Sequence, residues 1–261
     1  MAQAILAPLP RALLGRLLPA AMWASFATPP RALAREEARE VDKKAEELGM
    51  IGIMLMENAG LGLTNVVLQE LEARGAKPGA VVGIVGGRGN NAGDGFVLAR
   101  HLTLRGYVPK IAFCGDRAKS KRDTDAGVNL TVIERTGVFI QDVHDGPELA
   151  ALLASWSDAV LLIDAMLGTG LSGELRDDYK AWIEALNAAP QPKVAVDIPS
   201  GLDCDTGRPL GAAVKAACTV TFVGRKLGFD VPGSEEYTGP VHVVPIGCPE
   251  GSWSHVTAAP A

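Results

Sequence analysis

The sequence predicts an α/β protein built on an open, doubly wound parallel sheet. Two observations carry this reading. From about residue 78 to residue 245, short apolar runs alternate with stretches of helical period. The short runs are almost continuously apolar, as strands covered on both faces must be. Fewer than eight strand–helix units can be counted, which excludes a closed barrel.

The elements follow in order. Residues 35–48 carry Arg and Glu at spacings of three and four, a solvated helix that Gly49 stops. Residues 51–74 place Leu55, Met56, Ala59, Leu63, Val66, Val67 and Leu71 on one helical face, with Gly75 and Pro78 beyond. Strands are expected over 80–85, 108–114, 138–140, 159–163, 194–196, 218–223 and 241–245. Helices are expected over 92–105, 123–134, 147–155 and 177–187.

Composition limits the function classes. With 261 residues, 48% of them hydrophobic and 21% charged, the chain can bury a large core and is not a disordered tail. The net charge of −5 offers no surplus to neutralise phosphates along a nucleic acid. No apolar run reaches the roughly 18 residues of a membrane span. Cys114, Cys204, Cys218 and Cys248 form no CxxC pair, and His101, His144, His242 and His255 have no metal-ligand spacing.

The first 35 residues are different. They contain Arg11, Arg16, Arg31 and Arg35 among Ala, Leu and Pro, and the first acid is Glu36. An acid-free, Arg-bearing, amphipathic start reads as an organelle transit peptide, mitochondrial first. Plastid delivery, secretion and an untargeted cytoplasmic arm are the alternatives. The organisation expected is a leader over 1–35, one domain over 36–248 and a tail over 249–261.

Three loops leave the carboxyl ends of strands, where open parallel sheets bind ligands. Gly86 to Gly95 joins a strand to a helix; its glycines permit close approach of a phosphate to a helix N-terminus. Asn90, Asn91 and Asp94 add oxygens for a hydroxyl or a cation, or they simply cap the helix. Asp164 to Glu174 begins with a carboxylate directly after a buried strand, expensive unless paired or metal-bound. Asp197-Ile198-Pro199-Ser200-Gly201 puts Asp197 at a strand edge suited to acid/base work and Ser200 where it can offer an oxygen. Asp203 and Asp205 read as turn residues.

The segments Leu55-Met56-Glu57-Asn58-Ala59-Gly60, Gly89-Asn90-Asn91-Ala92-Gly93-Asp94-Gly95, Asp164-Ala165 with Gly168-Thr169-Gly170, and Asp197-Ile198-Pro199-Ser200-Gly201 occur in one order. Together they resemble the NAD(P)H-hydrate epimerase family, the YjeF N-terminal domain of apolipoprotein A-I-binding protein type, over roughly residues 36–248. The resemblance implies a Rossmann-like three-layer αβα sandwich with a mostly parallel open sheet and N-terminal helices preceding it. It implies an isomerase that interconverts the epimers of hydrated NADH and NADPH for nucleotide repair. Substrate contacts would come from Asn90, Asn91, Ala92, Gly93 and Asp94, from Gly168, Thr169, Gly170, Leu171, Ser172, Gly173 and Glu174, and from Asp197, which is also the implied catalytic acid/base. Asn91, Asp164 and Ser200 would hold a potassium ion. A homodimer and a separate NAD(P)H-hydrate dehydratase are the implied partners, the latter because 261 residues leave no room for a fused one. Ala92 stands where the family usually has glycine, and Arg88 where it often has a smaller or apolar residue.

Two other functions share the glycine loop. An NAD(P)-dependent oxidoreductase would want an acid for the ribose about 20 residues on; Asp116 is the candidate, although it follows Gly115, past its strand. A non-catalytic nucleotide-binding or protein-interaction module is the other, against which the intact Asn91, Asp164, Asp197 and Ser200 argue. The leader makes its own prediction: a fluorescent protein carrying residues 1–35 should concentrate in an organelle, and diffuse cytosolic signal would contradict the targeting assignment.

Overall fold

The computed structural model describes residue 29 and residues 31–256. The segment read as a leader lies outside them as far as residue 28, together with residue 30, and so do residues 257–261.

Seven parallel strands form one sheet in the order β3-β2-β1-β4-β5-β6-β7. They are β1 (Val81–Gly86), β2 (Val108–Cys114), β3 (Phe139–Val143), β4 (Ala159–Ala165), β5 (Lys193–Val196), β6 (Cys218–Phe222) and β7 (Val241–Val244). The helices are α1 (Arg35–Glu47), α2 (Gly52–Ala73), α3 (Asn90–Leu104), α4 (Asp125–Arg135), α5 (Gly146–Ser155), α6 (Asp177–Ala188) and the single turn α7 (Glu235–Thr238). The expected elements are present, and every strand pair is parallel.

Two apolar layers explain the sandwich. On one face Leu63, Val67, Phe96, Leu102 and Ile133 join α2, α3 and α4 to the inward side chains of the sheet. On the other, Leu149, Leu153, Trp182 and Ile183 bring α5 and α6 onto Val85, Leu162 and Trp156. Strands buried on both faces need the continuous apolar text that the sequence supplies. Close approach fixes the helix layer: a Cβ at Gly60 of α2 would stand 2.3 Å from Val97 of α3.

The order reverses at β1, which has β2 on one side and β4 on the other. Such a switch point opens a crevice at the carboxyl edge. α3 begins at Asn90 rather than 92, so Asn90 and Asn91 belong to its first turn.

Both ends of the described chain take part in the fold. Leu33 is fully buried. It forms a parallel bridge to Lys226, receiving Leu227 N–H at 2.9 Å and donating its own N–H to Arg225 at 2.7 Å. The packed structure therefore reaches into the stretch read as leader. Beyond residue 248, Trp253 and Val256 are buried with Ala38, Val41 and Ala45 of α1. That stripe is why α1 stays folded despite its charged sequence. Leu33→Ala should lower stability by about 2–5 kcal/mol, the usual cost of truncating a buried leucine. An unchanged denaturant midpoint would show that this segment does not pack.

Candidate functional site

A cavity of about 740 Å³ lies over the carboxyl ends of the central strands. Its walls include Asp42 of α1, Leu55 and Met56 of α2, Asn90, Asn91 and Asp94 of α3, Met166 to Ser172 after β4, Asp197 after β5, and Phe222, Val223 and Lys226.

The first loop delivers an open helix end. The residue before α3 is Gly89, and no side chain caps it; the capping role considered for Asn90, Asn91 and Asp94 is not theirs. Gly93 N–H bonds back to Gly89 C=O at 3.2 Å. The N–H groups of the three preceding residues have no intrahelical acceptor, so the helix end presents donors and a positive dipole to the cavity. Asn91 turns inward and donates Nδ2 to Leu167 C=O at 3.0 Å. Ala92 and Gly93 do not line the cavity: Ala92 is buried against Gly86, and a Cβ on Gly93 would meet Met56 Sδ at 2.6 Å.

The second and third loops are stitched together by Asp164 and Ser200, both fully buried. Ser200 gives Asp164 its N–H at 2.7 Å and its hydroxyl at 2.6 Å, and Met166 N–H adds a bond at 3.3 Å. Leu167 N–H in turn donates to Ser200 Oγ at 2.9 Å. Asp164 is thus satisfied by three neutral donors, not by a basic side chain. Burial pushes its carboxyl up to about 6 against the pull of those bonds. Asn91, Asp164 and Ser200, far apart in sequence, meet around the Leu167 peptide, and a Cβ on Gly168 would stand 3.3 Å from Asn91 Oδ1. Gly173 and Glu174 stay outside the cavity wall; Glu174 is exposed and pairs with Lys180 at 3.0 Å.

Asp197 sits in the left-handed region at φ 64°, and Ile198 N–H bonds to Val196 C=O at 2.8 Å across it. The next strand repeats the device: Val223 has φ 67°, and Gly224 N–H reaches Phe222 C=O at 2.7 Å. These are tight γ-turns with strained non-glycine centres, each costing of order 1–3 kcal/mol. Both strained residues face the cavity.

Lys226 explains how Asp197 stays ionised. It is 2% exposed and donates Nζ to Thr221 Oγ1 at 2.9 Å, Phe222 C=O at 2.8 Å and Gly224 C=O at 3.1 Å, with Asp197 Oδ1 at 3.2 Å. Thr221 hydroxyl and Thr169 N–H also donate to Asp197, at 3.1 and 3.4 Å. Burial alone would raise the Asp197 carboxyl, but the Lys226 charge and these bonds hold it below its ordinary value. The opposite happens to Asp94. Buried and without a hydrogen bond to any described residue, it is pushed well above the usual carboxylate range by burial, then by Asp197 and Asp42. Asp42, open to solvent at the cavity mouth, still rises to about 6 under the surrounding protein and Asp197, with Lys226 opposing.

Lys226, Thr221 and Asp42 were not singled out from the sequence. Asp42 lies in a helix whose charges read as solvated, and Arg225-Lys226 looks like any surface basic pair. Asp203 is indeed a turn residue, accepting from Asp205 N–H, Thr206 N–H and Thr206 hydroxyl, but it also pairs with Arg35 at 2.5 Å. Asp205 accepts the Arg35 N–H at 2.8 Å. In the Leu55 to Gly60 motif, Glu57 pairs with His101 at 2.9 Å and with Arg100, while Asn58 donates to Ile246 C=O at 2.8 Å. At the far end of the sheet, His242 comes within 4.8 Å of Cys218 and Glu70 donor atoms, a gathering that spacing could not reveal.

A glycine loop at a switch point, an open helix end and carboxylates at the strand ends define a nucleotide-binding α/β domain. The sequence matches the family described as YjeF-related protein N-terminus over residues 52–228, and the chain belongs to that family. It is 39% identical over 227 residues to an NAD(P)H-hydrate epimerase of Pirellula staleyi, covering 87% of this chain and 96% of the relative. A bifunctional NAD(P)H-hydrate repair enzyme of Pyrobaculum aerophilum is 41% identical over 80% of this chain, which spans only 40% of that relative's length. Among solved structures, the yeast protein ynu0 (YNL200c) superposes with a TM-score of 0.74 at 25% identity, covering 88% of this chain and 95% of that one.

Proposed function

We infer that this chain is an isomerase that interconverts the R and S epimers of hydrated NADH and NADPH. The observation that carries the reading is the presence in one cavity of two buried carboxyls in opposite surroundings: Asp197 beside Lys226, drawn below its ordinary value, and Asp94 without a hydrogen bond to any described residue, pushed above it. The family membership and the epimerase relatives support it.

The chemistry needs proton transfer and no hydride. The hydrated ring carbon bears a hydroxyl beside the ring nitrogen. Protonating that hydroxyl lets water leave as the nitrogen lone pair forms an iminium. Water then returns to either face and gives up a proton. Asp197, paired with Lys226, takes that proton; Asp94, pushed toward its protonated form, supplies the one that departs with the hydroxyl, and proton exchange with solvent restores both carboxyls. Opposite pKa shifts on neighbouring carboxyls assign such roles. The α3 N-terminus suits the diphosphate. Asp197→Asn should reduce epimerisation by about 10²-fold or more at pH 7, the scale of general acid/base work. The wild-type rate should fall on the acid side only as pH drops through the depressed Asp197 value, and on the alkaline side as Asp94 ionises. Asp94→Asn should remove the alkaline limb; wild-type rates in both variants would refute the assignment.

We propose potassium as the resident ion at Asn91, Asp164 and Ser200. The donor set is entirely oxygen with one carboxylate, which suits a hard monovalent cation better than magnesium. Bound there, the ion would offset the buried Asp164 charge and hold the three loops in register. Potassium chloride should then raise the melting temperature above choline chloride at equal ionic strength, and Asp164→Asn should abolish the difference. An equal response in the variant would mean general salt screening. We also propose a homodimer, supported by the exposed Leu48, Ile51, Met54 and Leu61 on and beside α2, and a dehydratase acting on one epimer as the next step.

A further inference from the structure

A second cavity, of about 260 Å³, adjoins the first on the β2 side of the switch point. Arg88 and Tyr179 line both cavities. The floor of the second is Cys114 and Gly115 at the end of β2, and Lys119 and Arg176 reach it from either side. Its charges are unevenly used. Asp116 accepts Ala118 N–H at 2.9 Å and pairs with Lys119 at 3.4 Å. Asp178 accepts Tyr179 N–H at 2.9 Å and pairs with Arg176 at 3.2 Å. Arg88 makes no hydrogen bond or ion pair with any described residue. Its guanidinium lies flat against the β2 end: a Cβ on Gly115 would stand 2.9 Å from Nη2. Both acids have local donors, whereas Arg88, although its charge is felt at Asp116, has no acceptor for its N–H groups among the described residues.

We propose that this second cavity takes the adenosine ribose end of the substrate and that Arg88 reads its 2′-phosphate. The inference rests on the epimerase reading for the position of the rest of the substrate. With the hydrated ring at Asp197 and the diphosphate at the α3 N-terminus, the remaining end runs over β1 toward β2. That strand end is where open dinucleotide-binding sheets meet the adenosine ribose, an acid there favouring the 2′-hydroxyl and an arginine the 2′-phosphate. Here the acid is occupied and the arginine is not. A guanidinium presents paired N–H donors to a phosphate.

The test is calorimetric titration of the full chain with adenosine 2′,5′-bisphosphate and, separately, with AMP. Wild-type protein should prefer the bisphosphate by at least about 10-fold, the return on one or two charge-assisted hydrogen bonds. Arg88→Ala, an exposed position whose loss spares the core, should bring the preference to within about 2-fold. Equal affinities in the wild type, no binding of either nucleotide, or an undiminished preference in Arg88→Ala would each overturn the proposal. Wild-type epimerisation of hydrated NADPH is measured alongside: its absence would count against the epimerase reading, whatever the nucleotide preference.

Discussion

A carboxylate buried at the end of a parallel strand is costly to keep ionised, and a positive charge buried beside it lowers that cost. In this fold that charge is Lys226, and the cleft depends on the arrangement. The ammonium is held by two backbone carbonyls and the Thr221 hydroxyl as well as by Asp197. It cannot swing away without orphaning several groups at once. Asp94, buried without a hydrogen bond to any described residue, is pushed up chiefly by burial, and the charges of Asp197 and Asp42 push the same way. Burial and the Lys226 ion pair thus move two carboxyls of one cavity in opposite directions.

The surrounding structure serves to hold that pair. Asp197 and Val223 are strained residues on adjacent strands, which the chain would relax if it could. The segment before α1 prevents this. Leu33 bridges the backbone on both sides of Lys226, and Arg35 ties Asp203 and Asp205 on the loop that follows Asp197. On the other side of the crevice, Asp164 and Ser200 lock the second loop to the third. The rigid sheet therefore ends in three mutually braced loops, and the open end of α3 faces them.

Much of this was legible in the sequence. Short apolar strands of four to seven residues, alternating with stretches of helical period, leave little choice but a parallel sheet. Glycine and acid at three strand ends then mark one edge. Asn91, Asp164 and Ser200 could be grouped because that edge brings them together, although they span more than a hundred positions. Other features were hidden for physical reasons. Lys226 owes its burial to a turn at Val223 and to a bridge from Leu33, neither of which has a local pattern. Asp42 shares its helix with solvent-facing charges and differs from them only by rotation about the axis. Gly173 and Glu174 are substrate contacts that the family resemblance implies, whereas here they lie outside the cavity wall and Glu174 is exposed, paired with Lys180 of α6.

Asp197 and Asp94 are expected to hold opposite protonation states in the resting protein. The direct measurement is a carbon-13 NMR pH titration of the aspartate side-chain carboxyls, with the two resonances assigned by Asp197→Asn and Asp94→Asn. Asp197 should titrate below the ordinary aspartate value and Asp94 well above it, and Lys226→Met should raise the Asp197 midpoint. Two carboxyls titrating together in the ordinary range, indifferent to Lys226, would contradict that expectation.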